Sequence, residues 1–287
     1  MRVTRLRISI ITPSYNQAQF IERAIASVLC QTGPFDLEYL VFDGGSEDGT
    51  LEILHQYHDR LSWQSARDQG QIDAINTGLR RATGEVVGWL NSDDVLAPGA
   101  LAKVAEVFTR RPEVEWVHGR CDIIAPDDRR IRPWISAYKH WRCGRYSYAR
   151  LLTENFISQM TVFWRRRLLD ETGLLDTSLS LAFDYDLWLR FGKRSDPFYI
   201  PERLASFRWY ETSKSGANLL QQLAEDHLVA RRHGLGGWRQ WRKRLQTVQR
   251  LTIYHLLRWG CACASGRWVQ PVRTKRQSAS VPRGGRP

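Results

Sequence analysis

The sequence predicts an α/β fold, with a mostly parallel sheet, helices on both faces and a basic helical C-terminal tail. Apolar runs alternate with segments of helical periodicity from residue 7 to residue 118, and this alternation is typical of parallel sheets. Polar clusters at 13–16, 43–48, 68–73 and 91–94 follow the first four runs. They fall at the sheet edge where such folds bind ligands. An excess of basic residues after Asp226 predicts that the last segment is a basic tail.

The elements of the first part follow one another regularly. Strands are expected at 7–12, 38–42, 61–66, 85–90 and 114–118, with helices at 17–30 and 49–58, through Ile72 to Gly84, and at 98–109. Each strand is a short apolar run, and the longer helices repeat apolar residues at helical spacing. Gly84 suits a helix end, and Pro98 suits a first helical turn.

The second part of the chain is less regular. Residues 121–157 have no clean period and many Arg, Trp and Tyr residues, which indicates loops and short elements over the site. Order returns with a strand at 160–164, helices at 165–172 and from 184, a strand at 198–207 and a helix at 218–232. We expect a main domain at 1–234 and an amphipathic tail at 235–287, with a basic helix at 238–259 and a disordered end at 271–287.

The net charge of +12 is concentrated in the tail. No acidic residue follows Asp226, whereas fourteen of the 42 basic residues do, so the main domain is close to neutral. A near-neutral main domain argues against a nucleic-acid partner. The tail suits an anionic membrane surface, where each Lys or Arg adds about 1 kcal/mol. It suits a solvated extension equally well.

The expected compartment is the cytoplasm, with the protein peripheral on the inner face of the membrane if the tail binds lipid. No apolar run is long enough to cross a bilayer, and a strand-like segment begins by Ile8. The five cysteines are odd in number and have no C-x-x-C spacing. That pattern argues against a disulfide framework and against a zinc site.

The sharpest chemical feature is Asn91-Ser92-Asp93-Asp94, directly after an apolar strand. Two adjacent carboxylates repel each other, and a divalent cation such as Mg²⁺ or Mn²⁺ would relieve the repulsion. The alternative is an aspartate cap on the helix near Pro98. The polar clusters at neighbouring strand ends favour the metal, with Asp93 and Asp94 as its candidate ligands.

Three other aspartates are candidate site residues. Asp43 ends a strand before two glycines, and Asp68 follows the next strand. Each can bind a ribose or a base edge, or can simply order a turn or a helix start. Asp184 opens a later helix together with Asp186. A carboxylate there can be a general base, or can favour the helix dipole.

Five segments carry a resemblance to a known family: Ile10–Asn16, Asp43–Ser46, Asp68–Gly78, Trp89–Asp94 and Asp184–Arg190. In this order they resemble the family 2 glycosyltransferases, which are inverting enzymes with a GT-A fold. The resemblance runs from Ile8 to about Gly234, most of the chain. Each segment is common by itself, and the ordered set is specific.

The resemblance implies a division of the main domain. Residues 1–120 would bind a nucleoside-diphosphate sugar, and residues 121–234 would bind a saccharide or lipid-linked saccharide acceptor. The residues that would hold the donor are Thr12, Pro13, Tyr15, Asn16, Asp43, Asp68, Asn91 and Asp93. Asp93 would be the main metal ligand, with Asp94 beside it. Asp184 would take the proton of the acceptor hydroxyl as that oxygen attacks the anomeric carbon.

Three positions depart from the family pattern. Asn91 stands at the first acidic position of the metal motif, and Phe183 stands where many relatives carry an acid. Tyr210 stands where relatives usually have His, which bears on metal affinity. Arg208 and Lys214 in the same segment are expected to meet the donor phosphates.

The rival classes have less support from the sequence. A sugar nucleotidyltransferase would need a glycine-rich basic loop after the first strand, and a dinucleotide oxidoreductase would need G-x-G-x-x-G there; neither is present. A non-catalytic protein that binds nucleotides or anionic surfaces stays as an alternative. We predict a metal-dependent inverting glycosyltransferase, a hexosyltransferase of cell-surface polysaccharide or lipopolysaccharide synthesis.

Overall fold

The computed structural model describes residues 5–248, which contain a mixed sheet of nine strands. The strands are β1 (Leu6–Ser14), β2 (Phe35–Asp43), β3 (Ser62–Ser65), β4 (Val86–Trp89), β5 (Val95–Leu96), β6 (Trp116–Ile124), β7 (Arg130–Ile131), β8 (Phe163–Arg165) and β9 (Phe198–Arg208). Their order is β3-β2-β1-β4-β8-β6-β9-β5, and β7 pairs with β6. The predicted α/β class is confirmed.

Ten helices are assigned in the same residues. They are α1 (Ile21–Leu29), α2 (Thr50–Gln56), α3 (Gln71–Arg81), α4 (Ala100–Arg110), α5 (Pro133–Cys143), α6 (Tyr148–Thr153), α7 (Arg166–Thr172), α8 (Phe183–Gly192), α9 (Lys214–Ala217) and α10 (Leu219–Arg232). Residues 237–248 are also helical. Helices lie on both sides of the sheet, as predicted.

The sheet has a parallel part and a mixed part. Strands β3, β2, β1 and β4 are parallel, as alternating strands and helices require. Strand β8 runs antiparallel to both β4 and β6, and β5 runs antiparallel to β9. Because β9 is parallel to β6 and Val95 of β5 pairs with Ser206, the end of β9, the last strand of the described residues, lies near the loop that joins β4 to β5.

Two apolar cores enclose the sheet. β1 is buried continuously from Ile8 to Ser14, the pattern of a strand covered on both faces. One core contains the inward faces of α1 and α4, and the other contains those of α3 and α8. The second holds a cluster of indole rings, in which Trp188 stacks on Trp89 at 5.5 Å and on Trp116 at 6.1 Å. Several tryptophans therefore serve packing.

A reciprocal amide contact joins the two parts of the main domain. Asn76 is buried on α3, and its Nδ2 donates to the Leu175 carbonyl at 3.0 Å. The Leu175 N–H donates back to Asn76 Oδ1, also at 3.0 Å. Because a buried amide must be satisfied, this pair fixes the segment before α8 against α3. It thereby positions the start of α8.

Several predicted boundaries are wrong. The fourth helix begins at Ala100 rather than at Pro98, since Gly99 precedes it with a positive φ of 72° that glycine adopts without strain. Residues 121–157 contain the end of β6, the short β7 and two helices, α5 and α6. Apolar residues occur all round α5, which hides its period. The predicted strand at 160–164 starts as a 3₁₀ turn, Gln159–Thr161.

The chain divides into a unit Met1–Lys243 and a unit from Arg244 onward. The predicted basic helix is present as far as residue 248. Its continuation to 259 and the expected disordered end at 271–287 lie outside the described residues, and the boundary at 234 stays a prediction. Within residues 5–248, no helix is long and apolar enough to span a membrane.

Candidate active site

The carboxyl ends of the parallel strands bring the predicted motifs to one edge of the sheet. Asp43 at the end of β2 is the register partner of Ser14 on β1 and of Ser65 on β3. The Gly44 N–H donates to the Ser14 carbonyl at 2.8 Å. The strand register thus brings the ends of β1, β2 and β3 to one edge of the sheet, as the sequence predicted.

The Thr12–Asn16 segment contains both buried and exposed side chains. Thr12 is buried, and its hydroxyl lies 3.1 Å from the Tyr39 hydroxyl. Pro13 is buried as well, whereas Tyr15 is 62% exposed. Asn16 has a φ of 52°, and its Oδ1 accepts from the Glu47 N–H at 2.9 Å. Tyr15 and Asn16 are therefore the members of this motif that can meet a ligand.

Asp43 is buried and holds together the turn that follows it. Its Oδ2 accepts from the N–H groups of Gly45 and Ser46 at 3.0 and 2.8 Å and from Ser65 Oγ at 2.7 Å. Its Oδ1 accepts from Ser46 Oγ at 2.5 Å. This carboxylate orders the turn, one of the two alternatives that the sequence left open.

Asp68 is exposed beside the same turn. Its Oδ1 accepts from the Gly70 N–H at 2.8 Å. A Cβ atom at Gly44 would lie 3.1 Å from Asp68 Oδ2, so a glycine lets this carboxylate approach the turn closely. Asp43 and Asp68 thus lie together, one facing inward and one facing solvent.

Asp93 and Asp94 have different surroundings. Asp93 is half-buried, and its Oδ2 accepts from the Tyr210 hydroxyl at 3.0 Å. Asp94 is fully buried, and its Oδ1 accepts from the Arg208 N–H at 2.9 Å. Burial raises the pKa of both, and for Asp94, where the neighbouring Asp93 adds to the effect, the pKa lies well above its usual value. Asp93 is therefore the more accessible of the two carboxylates.

Two glutamines hold Asn91, and sequence reasoning missed both. Asn91 Oδ1 accepts from Gln71 Nε2 at 2.9 Å, and Asn91 Nδ2 donates to Gln159 Oε1 at 3.3 Å. Gln159 Nε2 donates to the Trp89 carbonyl at 2.7 Å. These contacts fix the loop after β4. An isolated glutamine carries no pattern in the sequence, so no signal pointed to Gln159.

Arg208 does not reach the cleft, contrary to the prediction that it meets phosphates. Its side chain is fully buried, with Nε donating to the Asp93 carbonyl at 2.8 Å. Nη1 donates to the carbonyls of Ala125 and Pro126, and Nη2 pairs with Asp128. A buried guanidinium needs such a set of acceptors. Arg208 therefore holds the Asp93 loop from its buried side.

Asp184 lies at the first turn of α8. It is half-buried, and its Oδ1 accepts from the Tyr185 N–H at 2.6 Å. Burial and the nearby Asp226 raise the pKa of Asp184 to about 7, against a lowering by Lys139 and Asn155. Asp186 faces away into an ion pair with Arg190 and a contact with His233. Asp184 and Asp186, both in the first turn of α8, thus have different partners.

Lys214 contacts the residue that holds Asn91. Its Nζ donates at 3.0 Å to the Oε1 of Gln71, the residue that binds Asn91. Burial lowers the pKa of Lys214, while the charges of Glu225 and Asp184 oppose that shift. The charge of Asp184 acts on Lys214, so Asp184 and the Asn91–Asp94 loop lie near each other; we call the space between them the cleft.

The oxygen groups of this cleft fit a divalent cation bound with a diphosphate. Mg²⁺ and similar ions commonly use one or two carboxylates together with substrate phosphates, and Asp93 offers one carboxylate. Among residues 5–248 no group of three His, Cys, Asp or Glu side chains could hold a metal by itself. Phosphate oxygens and water would have to complete the coordination shell.

Some aromatic residues of the 121–157 segment pack against the core, and others are exposed to solvent. Tyr146 and Tyr148 pack against the core, whereas Trp134 and Trp141 are each 49% exposed. His118 is a packed residue, as predicted. It is fully buried next to Trp116 and Tyr199, and burial lowers its pKa to about 3.

Known structures share this fold. A mannosyltransferase from Pyrobaculum calidifontis, in complex with GDP-Man and Mn²⁺, superposes with a TM-score of 0.60, 20% identity, and coverage of 91% of this chain and 81% of that one. Residues 1–349 of S. aureus TarS in complex with UDP-GlcNAc also give 0.60, with 17% identity and coverage of 82% and 69%. The fold is that of the GT-A glycosyltransferases.

Sequence comparison identifies the family. The profile of glycosyl transferase family 2 matches residues 9–173, more than half of the chain. The chain belongs to this family.

The chain is also similar to bacterial proteins, two named as glycosyltransferases and one as a chondroitin synthase. An uncharacterized glycosyltransferase of Rickettsia prowazekii is 29% identical over 223 residues, 75% of this chain and 68% of the relative. One from Nostoc sp. is 38% identical over 130 residues, 44% of this chain and 40% of that relative's length. The chondroitin synthase of Escherichia coli is 31% identical over 189 residues, 65% of this chain and 26% of the synthase.

Proposed function

We propose that this glycosyltransferase moves a hexosyl group from a nucleoside-diphosphate sugar to a saccharide or lipid-linked saccharide acceptor, with inversion at the anomeric carbon. The observation that carries the proposal is the contact chain from Asn91 through Gln71 to Lys214, whose charge interacts with that of Asp184. A displacement with inversion needs a donor site and a base on opposite sides of the reacting carbon.

The donor would lie along the edge formed by β1 to β4. Tyr15, Asn16 and Asp68 are accessible polar or aromatic groups there, near the turn that Asp43 orders. Thr12 and Pro13 would act through the backbone position they fix, since both side chains are buried. The solved relatives bound to UDP-GlcNAc and GDP-Man support a nucleoside-diphosphate sugar as the donor class.

Asp93 would hold Mg²⁺ or Mn²⁺ together with the donor diphosphate. The bound ion would stabilise the charge of the departing nucleoside diphosphate. Tyr210 donates to Asp93 and orients its carboxylate, as outer partners of metal ligands do. Asp94 is fully buried on the Arg208 N–H, so we assign it to holding the loop beside Asp93. The mannosyltransferase relative bound to Mn²⁺ supports the choice of ion.

Asp184 would act as the general base. A base works best when its pKa lies near the working pH, and the pKa of Asp184 is raised to about 7. The ionised carboxylate would accept the proton of the acceptor hydroxyl as the C–O bond to the anomeric carbon forms. The bond to the nucleoside diphosphate breaks in the same step, and its electron pair leaves with the diphosphate.

The acceptor side would face a membrane surface on the cytoplasmic side, where assembly of a cell-surface polysaccharide or lipopolysaccharide would use a lipid-linked acceptor. The basic excess after Asp226 supports this setting. In the described part of the tail, Trp238 and Trp241 are more than 60% exposed next to Arg239 and Arg242. Aromatic and basic side chains of this kind suit a bilayer interface.

Calorimetric titration of nucleoside diphosphates tests the proposal. Purified protein is titrated with a panel of nucleoside diphosphates, with Mn²⁺ and with EDTA, and Asp93→Asn serves as the control. We expect one nucleotide to bind tightly only with Mn²⁺, and the variant to lose about tenfold to a hundredfold in affinity. Absence of nucleotide binding by the folded protein would overturn the proposal.

A further inference from the structure

The outer side of α5 is apolar where a helix on a soluble domain is normally polar. It carries Pro133, Trp134, Ala137, Tyr138 and Trp141, all exposed and spaced along one side of the helix. The three aromatic side chains are 49%, 46% and 49% exposed, in chain order. An exposed apolar patch of this kind marks a contact surface. We call these five residues the aromatic face.

Contacts on the opposite side of α5 fix the direction of the aromatic face. Ser136 and Cys143 are buried against the domain, and His140 Nε2 accepts from the Cys121 N–H of β6 at 3.2 Å. Arg142 Nε lies 3.1 Å from a carboxylate oxygen of Glu154, and both side chains are largely buried. The helix is therefore anchored from within, and its rings point outward because the inner side is already occupied.

The segment that carries the aromatic face is basic, although Arg129, Arg130 and Arg142 form ion pairs with acids outside that segment. The segment from Arg129 to Thr153 contains seven Lys and Arg residues and no Asp or Glu. Arg145 is exposed, and its guanidinium lies 4.9 Å from the centre of the Trp141 ring. Arg145 has no acidic partner within residues 5–248, so a partner that covers this surface should be both apolar and anionic. A second copy of the chain would bring two basic segments together, and a neutral saccharide would leave Arg145 unmatched.

We propose that the aromatic face docks on an anionic lipid bilayer, with its rings at the level of the headgroups. Tryptophan and tyrosine favour that depth, where an apolar ring body and a polar edge are both satisfied. Surrounding Lys and Arg residues are attracted by anionic lipid. This surface belongs to the catalytic domain itself and is separate in sequence from the basic tail.

The position of α5 gives the docking a consequence for the reaction. The Tyr138 hydroxyl donates at 2.9 Å to Glu154, the neighbour of Asn155, and Asn155 and Lys139 both act on the Asp184 carboxyl. The aromatic face thus borders the side of the cleft that holds the proposed base. A bilayer against it would present the acceptor from the membrane. This consequence rests on the proposed function, whereas the docking itself does not.

Vesicle binding by the full chain tests the proposal. Co-flotation is measured with vesicles of equal parts phosphatidylglycerol and phosphatidylcholine and with pure phosphatidylcholine, for wild type and for W134S/Y138S/W141S. We expect wild type to prefer the anionic vesicles and the triple variant to partition at least about tenfold more weakly. Hydrogen exchange should show protection of residues 133–145 when anionic vesicles are added to the wild type.

Matched variants separate the aromatic face from general hydrophobicity. L220S/L228S removes two exposed apolar side chains from α10, which are 71% and 46% exposed, and should float like wild type. Arg145→Gln should weaken binding to anionic vesicles by about fivefold, in line with one lost charge near the surface. Thermal melting checks that every variant is folded, and the single variant Trp141→Ser is used if the triple variant is not.

Three results would overturn the proposal. These are flotation of the folded triple variant equal to that of wild type, unchanged exchange in 133–145 on anionic vesicles, and equal flotation of wild type with anionic and with pure phosphatidylcholine vesicles. Nucleotide titration keeps the two proposals apart. A wild type that binds nucleotide with Mn²⁺ but ignores vesicles overturns only the docking, and one that binds vesicles through α5 but no nucleotide overturns only the proposed function.

Discussion

The surroundings of Asp184 tie its protonation to activity. Burial and Asp226 raise its pKa to about 7, and only the ionised carboxylate can accept a proton. We predict that kcat/KM for glycosyl transfer falls tenfold per pH unit below an apparent pKa of about 7. A pH–rate profile over pH 5 to 9 checks this. An acidic limb near the ordinary carboxyl pKa of 3.8 would contradict the assignment.

The same shift predicts an effect on stability. A carboxyl whose pKa is higher in the folded state stabilises the fold while it is protonated. That stability is present below about pH 4 and is lost as the pH rises through about 7. Asp184→Asn should therefore melt about 2–6 °C above wild type at pH 8, with no difference near pH 4. A variant that melts below wild type at pH 8 would show that burial does not strain the ionised carboxylate.

Sequence patterns predict carboxylates in ordered motifs better than the side chains that support them. Asp93 and Asp184 could be chosen from their places in recurring segments. Gln159 could not, because its bond to Asn91 joins residues 68 apart and a single amide has no pattern. Arg208 was expected to meet the donor phosphates because its segment, 207–215, resembles a family loop in which relatives usually have His. Its burial depends on the path of β9, which the sequence does not reveal.

At the scale of the elements, Arg208 connects the end of β9 to two neighbouring loops. This side chain holds the Asp93 carbonyl and two carbonyls of the loop after β6. Lysine cannot reproduce the planar set of donors, so Arg208→Lys should lower the free energy of unfolding by roughly 2–4 kcal/mol. Urea unfolding measures it. Asp128→Asn removes a half-exposed ion-pair partner of Arg208 and should lower the free energy of unfolding by no more than about 1 kcal/mol. Equal losses of stability in the two variants would contradict this role of Arg208.

Helix α3 packs on β1 without room for a side chain at Gly78. A Cβ atom there would lie 2.5 Å from Ile11 Cγ2 and 3.0 Å from Phe42 Cε2. Gly78→Ala should destabilise the protein by about 1–3 kcal/mol through overpacking. Gly144→Ala is the control, because its Cβ would meet nothing closer than 3.6 Å. Chemical unfolding that shows the two variants to be equally stable would rule out this close approach.

Elements with a regular apolar pattern could be predicted, and α5, which lacks one, could not. The first four strands and α1 to α3 lie within a few residues of their expected places, since most of these strands are apolar runs and the longer helices repeat apolar residues on the inward side. α5 was expected to be loops because Trp134, Tyr138 and Trp141 are apolar and face outward. The same three residues that obscure its helical period form the aromatic face.

At the scale of the whole molecule, the site is assembled from distant parts of the chain. Asp93 lies between β4 and β5, Tyr210 follows β9, and Asp184 starts α8; the pairing of β5 with β9 brings the first two together. Alternation of strands and helices predicts the sheet and its ligand-binding edge. It does not predict which later strand lies beside β5, because that choice depends on the packing of β8 and β9 rather than on periodicity.

The central claim is that Asp93 and Asp184 divide the reaction between donor and acceptor. The most direct test titrates the preferred nucleoside diphosphate with Mn²⁺ into wild type, Asp93→Asn and Asp184→Asn, and measures glycosyl transfer by the same proteins. We predict that Asp184→Asn binds nucleotide as wild type does but loses at least about a hundredfold in transfer, whereas Asp93→Asn loses both. Equal loss of nucleotide affinity in the two variants, or normal transfer by Asp184→Asn, would contradict the claim.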